Sequence, residues 1–200
     1  MYQKIISLFV KLLLVFKGAK IGKNFVCKNF PKIELIETKK LNLLIGDNVK
    51  ISGKIEIKQR DDSNIKFCSN CKIDQGVRII VANNCTFELG ENSKVMFYSH
   101  INCGEDIIIG KYTGISSNSF ISSSLHKHEK GENYMTTAYN HRKILIGNNV
   151  QIGYSCFIAP GSIIGDNSVV GPLSYVTSKI ESGYIYQGVP AKKISELYKN

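Results

Sequence analysis

From Ile146 to Val176 an aliphatic residue recurs at every sixth position: Ile146, Ile152, Ile158, Ile164, Val170 and Val176. Gly or Ala follows each of the first five, and Asn, Asp, Ser and Pro occupy the intervals. A helix would space its apolar residues at 3.6 and a half-buried strand at 2, so a period of six broken by turn residues predicts a solenoid of short strands. Each hexad makes one side of a three-sided coil. Eighteen residues then complete a coil, and successive coils stack at about 4.8 Å, the spacing of paired strands. The recurring aliphatic residue points inward and builds the core.

The period extends backward in shifted phases. Ile45, Ile51 and Ile57 are in phase, which places the start of the coil near residue 45. The polar stretch 59–64 resets the phase to Ile65, Cys71, Val77, Asn83, Leu89, Val95, Ile101 and Ile107, and a further slip of two at Ile109 leads to Ile115 and Ile121. The hexads then stop until Ile146, so 122–143 is read as an extruded loop; excursions of this length are usually functional or disordered. The resulting division is 1–40 as N-terminal helix and lead-in, 41–182 as coil, and 183–200 as a tail that closes with a short helix within 191–198.

Ile5 to Phe16 is a twelve-residue apolar run interrupted by Ser7 and Lys11. A bilayer-spanning helix needs about 20 residues, and no small-x-small cleavage site follows the run. Two roles stay open for it. One is a cap over the first coil, since terminal repeats need covering; the other is a helix lying in a membrane interface through residues 1–20. Charge bears on the choice. Of the net charge of +10, residues 1–60 hold 13 Lys and Arg against 4 acids, and residues 61–200 hold 13 against 12. A basic segment attracts anionic lipid or pyrophosphate-linked glycans, whereas the stacking aromatics of a nucleic-acid binder are not clustered there, so no nucleic-acid partner is expected.

Six cysteines (Cys27, Cys68, Cys71, Cys85, Cys103 and Cys156) form no disulfide framework, which favours a reducing cytoplasm. Cys68 and Cys71 make a lone CxxC. A zinc site needs four ligands, so these read as small residues of the coil and no metal is expected. Cys85 and Cys103 lie one eighteen-residue coil apart and are expected to meet.

The run IGNNVQIGYSCFIAPGSIIGDNSVVGPLSYVT with the following GVPAKKI resembles the hexapeptide-repeat acyltransferases, and among them is most similar to the sugar and polysaccharide O-acetyltransferases. The resemblance covers roughly residues 65–195. It implies an all-β, left-handed parallel β-helix, against the usual right-handed crossover rule; acetyl-CoA as co-substrate; a homotrimer with sites between solenoids; and a sugar hydroxyl in bacterial surface polysaccharide as acceptor, presented as a nucleotide sugar or a lipid-linked unit. It also places the catalytic histidine just after the last hexad before the loop, at His126, with His128 in reserve. Acetyl transfer to a hydroxyl needs a base during attack, and imidazole, which ionises near neutrality, suits that task. The family's preceding Asp is replaced here by the run Ser122, Ser123, Ser124, so Glu129, Asp106 or a backbone carbonyl is left to orient the ring. The acceptor is expected near Ser99, Asn102 and Asn118, and coenzyme A near Gly153, Tyr154, Gly171, Pro172, Thr177 and Ser178, with Lys179, Lys192 or Lys193 at its phosphates. Transfer to an amino-sugar nitrogen is the second reading. A zinc enzyme like the carbonic anhydrases of similar coil, using His100, His126, His128 and His141, and a non-catalytic scaffold are minor ones.

Overall fold

The computed structural model describes residues 2–128, 130–133 and 135–197. One helix, α1 (Tyr2–Phe16), precedes a parallel β-solenoid of three sheets. The first sheet runs from Lys20–Ile21 to Lys179–Ile180, the second from Val26–Cys27 to Tyr184–Gln187, and the third from Lys32–Ile36 to Tyr175–Val176. Each of the first seven coils contributes one strand to each sheet, and neighbouring strands pair in parallel and in register. The expected inward rows are present: Ile146 pairs with Ile164, Ile152 with Val170 and Ile158 with Val176, all buried. Fully burying such a side chain stabilises by about 1.5–3 kcal/mol, and the continuous stack is the core of the molecule.

Coil length is less regular than eighteen. Lys20 pairs with Leu44, Leu43 with Ile65 and Ile65 with Phe87, so the early coils take 24, 22 and 22 residues; Phe87 to Ile107 takes 20, and only Leu145 to Ile163 takes 18. The coil also begins at Lys20 rather than near 45. Its first turn lacks hexads because its inner side chains, Phe25, Cys27, Ile33 and Leu35, are irregularly spaced and the last two are only half-buried. Asn83 is a corner residue, not an inward one. Its φ is +62° and it is exposed, while Val81 and Cys85 on either side of the turn point inward.

Asparagines mark the corner after the first sheet because their short amides tolerate left-handed backbone. Asn24, Asn48 and Asn70 adopt φ of +54° to +63° and pass a hydrogen bond from coil to coil, Nδ2 to Oδ1 at 2.9 and 3.0 Å. Asn149 and Asn167 repeat the ladder at 2.9 Å.

Both ends of the coil are covered. Ser7, Val10 and Leu14 of α1 are buried on the first coil, and the Ser7 hydroxyl accepts the N–H of Cys27 at 3.0 Å, so the helix is a cap. At the other end the expected helix within 191–198 is a strand: Lys192–Glu196 pairs antiparallel with Tyr184–Gln187. Pairing on the open edge of the second sheet satisfies backbone groups that an isolated terminal helix of this length could not. Tyr198 lies outside the described residues.

Candidate active site

The segment 122–143 leaves the solenoid at the corner after the third sheet, in the fifth coil. Its two ends form a hairpin, Ser124–His126 against Tyr139–His141, in which Ser124 faces His141 and His126 faces Tyr139. The foot of the hairpin is braced by the three serines. Ser122 Oγ donates to Ser124 O at 2.7 Å and receives the Asn102 amide at 3.2 Å; Ser123 Oγ accepts the N–H groups of Gly104 and Glu105, each at 3.0 Å; Ser124 Oγ meets His141 Nδ1 at 2.7 Å. All three are buried. Where the family resemblance expects a carboxylate before the histidine, this chain places hydroxyls that lock the loop to the coil.

His126 is half-buried with its Nδ1 withdrawn from solvent, and its ring centroid lies 4.0 Å from that of Tyr139. Tyr139 in turn lies 5.7 Å from the His141 ring at 22°, so the tyrosine sits between two imidazoles. His128 is exposed. His141, the last histidine before the coil resumes, entered the sequence analysis only as a possible zinc ligand. Its Nε2 lies 3.4 Å from the Asn83 amide nitrogen; with that amide donating, Nδ1 carries the proton and donates to Ser124 Oγ. Both ring nitrogens of His141 are thereby engaged, which makes it a brace for the hairpin.

Of the suggested orienters of His126, Asp106 is committed elsewhere. One of its oxygens accepts the Thr86 N–H at 2.9 Å and the other pairs with Lys143 at 3.2 Å. Glu129 lies outside the described residues.

The suggested acceptor residues do not converge. Asn102 stands half-buried on the outer face of the third sheet, beside Ser122 and next to the hairpin foot. Ser99 is fully buried and its hydroxyl donates to Ser116 O at 3.0 Å inside a corner, so it belongs to the core. Asn118 is an exposed corner residue with φ of +59°, at the opposite end of the third-sheet strand from the hairpin. The same outer face carries a row the sequence reading did not single out: His100, Phe120, Phe157 and Tyr175 stack edge to face with centroids 6.1, 5.2 and 5.2 Å apart.

The positions suggested for coenzyme A fall on two corners that flank this row. Gly153, Tyr154, Gly171 and Pro172 turn the corner after the second sheet, and Thr177 and Ser178 turn the corner after the third, two coils beyond the hairpin. The two glycines differ in what the coil demands of them. A Cβ on Gly153 would lie 2.6 Å from the backbone N of Pro172, so coil stacking requires a glycine there, while one on Gly171 would lie 2.8 Å from the exposed Gln187 side chain, which would have to move. Tyr154, Thr177, Ser178, Lys179 and Lys192 are exposed and available to a ligand. Lys193 is occupied: it pairs with Glu181, which raises its pKa, and lies 3.7 Å over the Tyr184 ring. Among the described residues no group of three or more His, Cys, Asp and Glu side chains is placed to hold a metal ion.

The parallel β-solenoid thus expels one hairpin, carrying His126 and His141, on the side of its outward aromatic row. Comparison with known proteins assigns the chain to a family. The family model for bacterial transferase hexapeptides (six repeats) matches residues 143–178. The chain is 30% identical to Escherichia coli K12 WbbJ, described as a lipopolysaccharide biosynthesis O-acetyl transferase, over 68% of this chain and 74% of that one. It is 32% identical to the dTDP-4-amino-4,6-dideoxy-D-glucose acyltransferase of Escherichia coli, over 78% and 82%. Among solved structures, the Bacillus cereus N-acyltransferase AntD, in complex with dTDP and 3-hydroxybutyryl-CoA, superposes with a TM-score of 0.63 at 20% identity, covering 93% of this chain and 87% of that one. The protein belongs to the hexapeptide-repeat acyltransferases.

Proposed function

We propose that the protein transfers an acetyl group from acetyl-CoA to a sugar hydroxyl during bacterial surface polysaccharide assembly, in the cytoplasm, with His126 as general base. The observation that carries this reading is the braced hairpin, which holds a half-buried imidazole at the edge of the third sheet rather than on a free loop. The relation to WbbJ supports the acceptor class, and the relation to the dTDP-amino-sugar acyltransferase supports a sugar as the molecule acylated.

In this reading the acceptor sugar lies against the third sheet between Asn102 and the aromatic row. Neutral His126 takes the hydroxyl proton as the oxygen attacks the thioester carbonyl, and the carbon–sulfur bond breaks to release coenzyme A as a thiolate. Backbone N–H groups or water stabilise the oxyanion. Tyr154, Pro172, Thr177, Ser178, Lys179 and Lys192 are the groups assigned to coenzyme A. A homotrimer completes each site, since a head-to-tail interface closes in a C₃ ring.

The 32% relation to an amino-sugar acyltransferase favours N-acylation as the second reading. An amine must shed a proton before it attacks, whereas a hydroxyl sheds it during attack, so the hydroxyl has the greater need of a base. The experiment is an acceptor screen read by free-thiol release, followed by mass spectrometry of the product before and after mild alkali. An ester lost in alkali is expected. A product that survives alkali is an amide and moves the enzyme to the second reading. Neither turnover nor binding of acetyl-CoA by the folded protein would leave only a scaffold.

A further inference from the structure

The helix α1 has two apolar faces, and the coil uses only one. Ser7, Val10 and Leu14 are buried against the first coil. Ile5, Leu8, Phe9, Leu12, Val15 and Phe16 are exposed, Phe16 to 93%. At 100° per residue these six fall within an arc of roughly 120°, centred almost opposite the buried stripe. A helix on a water-facing surface is polar on its outer side; this one is not, and no helix among the described residues is long and apolar enough to cross a membrane.

Around this face stands a rim of lysines. Residues 1–40 hold nine lysines and two acids. Lys20, Lys23, Lys28, Lys39 and Lys40 of the first coil are exposed and form no ion pair within the described residues. Further along the coil acids balance the basic residues: residues 61–200 hold 13 Lys and Arg against 12 acids, and Lys66 pairs with Glu88, Lys111 with Glu91 and Lys143 with Asp106. The uncompensated charge therefore collects at the end where apolar surface is exposed. A second copy docked on this face would press two cationic rims together. An anionic lipid surface satisfies both features at once, taking the apolar side chains among its acyl chains and the lysines at its headgroups.

We infer that α1 and the first coil form a docking surface for an anionic bilayer, with α1 in the interface plane and the solenoid standing off it. The hairpin, on the fifth coil, then lies four coil steps away, about 19 Å from the first coil. On the acetyl-transfer reading, and resting on it, that height suits a sugar carried on a bilayer-embedded lipid. The docking itself does not depend on the chemistry.

The test is flotation of the full-length protein with vesicles, in the absence of any acceptor or acetyl-CoA. Phosphatidylcholine vesicles are compared with 7:3 phosphatidylcholine:phosphatidylglycerol, at low and high salt. The protein is expected to float with the anionic vesicles, at least tenfold less with the neutral ones, and less as salt rises. Leu12→Ser with Phe16→Ser should lower anionic binding at least tenfold, and Lys20→Gln, Lys23→Gln and Lys28→Gln together by on the order of 10²-fold. Circular dichroism of both variants should match the parent, because the changed side chains lie outside the packed face. A parent that stays with neither vesicle, or a folded Leu12→Ser, Phe16→Ser variant that floats as the parent does, overturns the proposal. So does a parent that ignores vesicles while that variant changes oligomeric state, which would assign the face to a second copy.

Discussion

Gly104 shows how closely the hairpin foot is fitted to the coil. A Cβ there would lie 2.1 Å from Ser124 Oγ and 2.8 Å from His141 Nδ1, so Gly104→Ala must push the hairpin away while leaving the inward rows untouched. We expect a cost of about 1–3 kcal/mol, as for other overpacked sites, and a fall in turnover larger than any change in acetyl-CoA affinity; equal losses in both would show that the hairpin does not position the reacting groups. The thiols give a second residue-scale prediction. Burial pushes Cys71 up to about 12 and raises Cys27 and Cys156. Cys103 is raised by its contact with Cys85, 3.2 Å away, and by burial. At pH 8 these four should resist a thiol reagent in the native protein and react on unfolding. The sign for stability follows. Cys71 stays neutral in the fold, so its contribution is complete below the ordinary thiol value of 9.0 and is lost as pH rises from there towards about 12. Rapid labelling of Cys71 in the native state would contradict its burial. The sequence pointed to His126, with His128 in reserve, and to the contact of Cys85 with Cys103, but not to His141 as a brace or to the aromatic row. Those depend on which side of a strand a residue faces across coils of 20 to 37 residues, and a strict eighteen-residue count misplaces them.

At the scale of elements, α1 and the terminal strand close the two ends of a fold that would otherwise expose open sheet edges. Leu14 is 1% exposed beneath the helix, so Leu14→Ala should cost about 2–5 kcal/mol and lower the melting temperature. Leu12→Ala, on the outer face, should change it little, and the reverse order would mean that α1 is not seated as described. The helix was legible in its apolar run, but its double-sided character was not, because hydrophobicity alone does not say which face is covered. The C-terminal segment misleads in the opposite way. AlaLysLysIleSerGlu is rich in helix formers, yet its backbone pairs with Tyr184–Gln187, with Lys192 facing Gln187 and Lys193 facing Tyr186. Tertiary pairing overrides a propensity that eight residues are too few to realise. The first coil was missed for a related reason: its inner side chains, Phe25, Cys27, Ile33 and Leu35, are irregularly spaced, so it shares the sheets of the hexad coils without showing their period.

For the molecule as a whole, the hexad period reveals the solenoid because the coil repeats one physical problem, an inward aliphatic residue and a tight corner, at a fixed interval. Departures from the period mark where the fold does something else, and the largest, 37 residues between Ile107 and Ile144, is where the hairpin emerges. Circular dichroism should accordingly be dominated by strand with a minor helical part from α1, and sedimentation of the active species should give a trimer; full activity in a monomer would remove the proposed site between copies. The claim at the centre of this account is that the hairpin delivers His126 as the base for acetyl transfer. The most direct test is turnover of His126→Ala, followed by free-thiol release at saturating acetyl-CoA and acceptor. The account predicts a fold and an acetyl-CoA affinity unchanged from the parent and turnover lower by roughly 10² to 10⁴. Turnover within a few-fold of the parent, or a greater loss from His128→Ala, would contradict it.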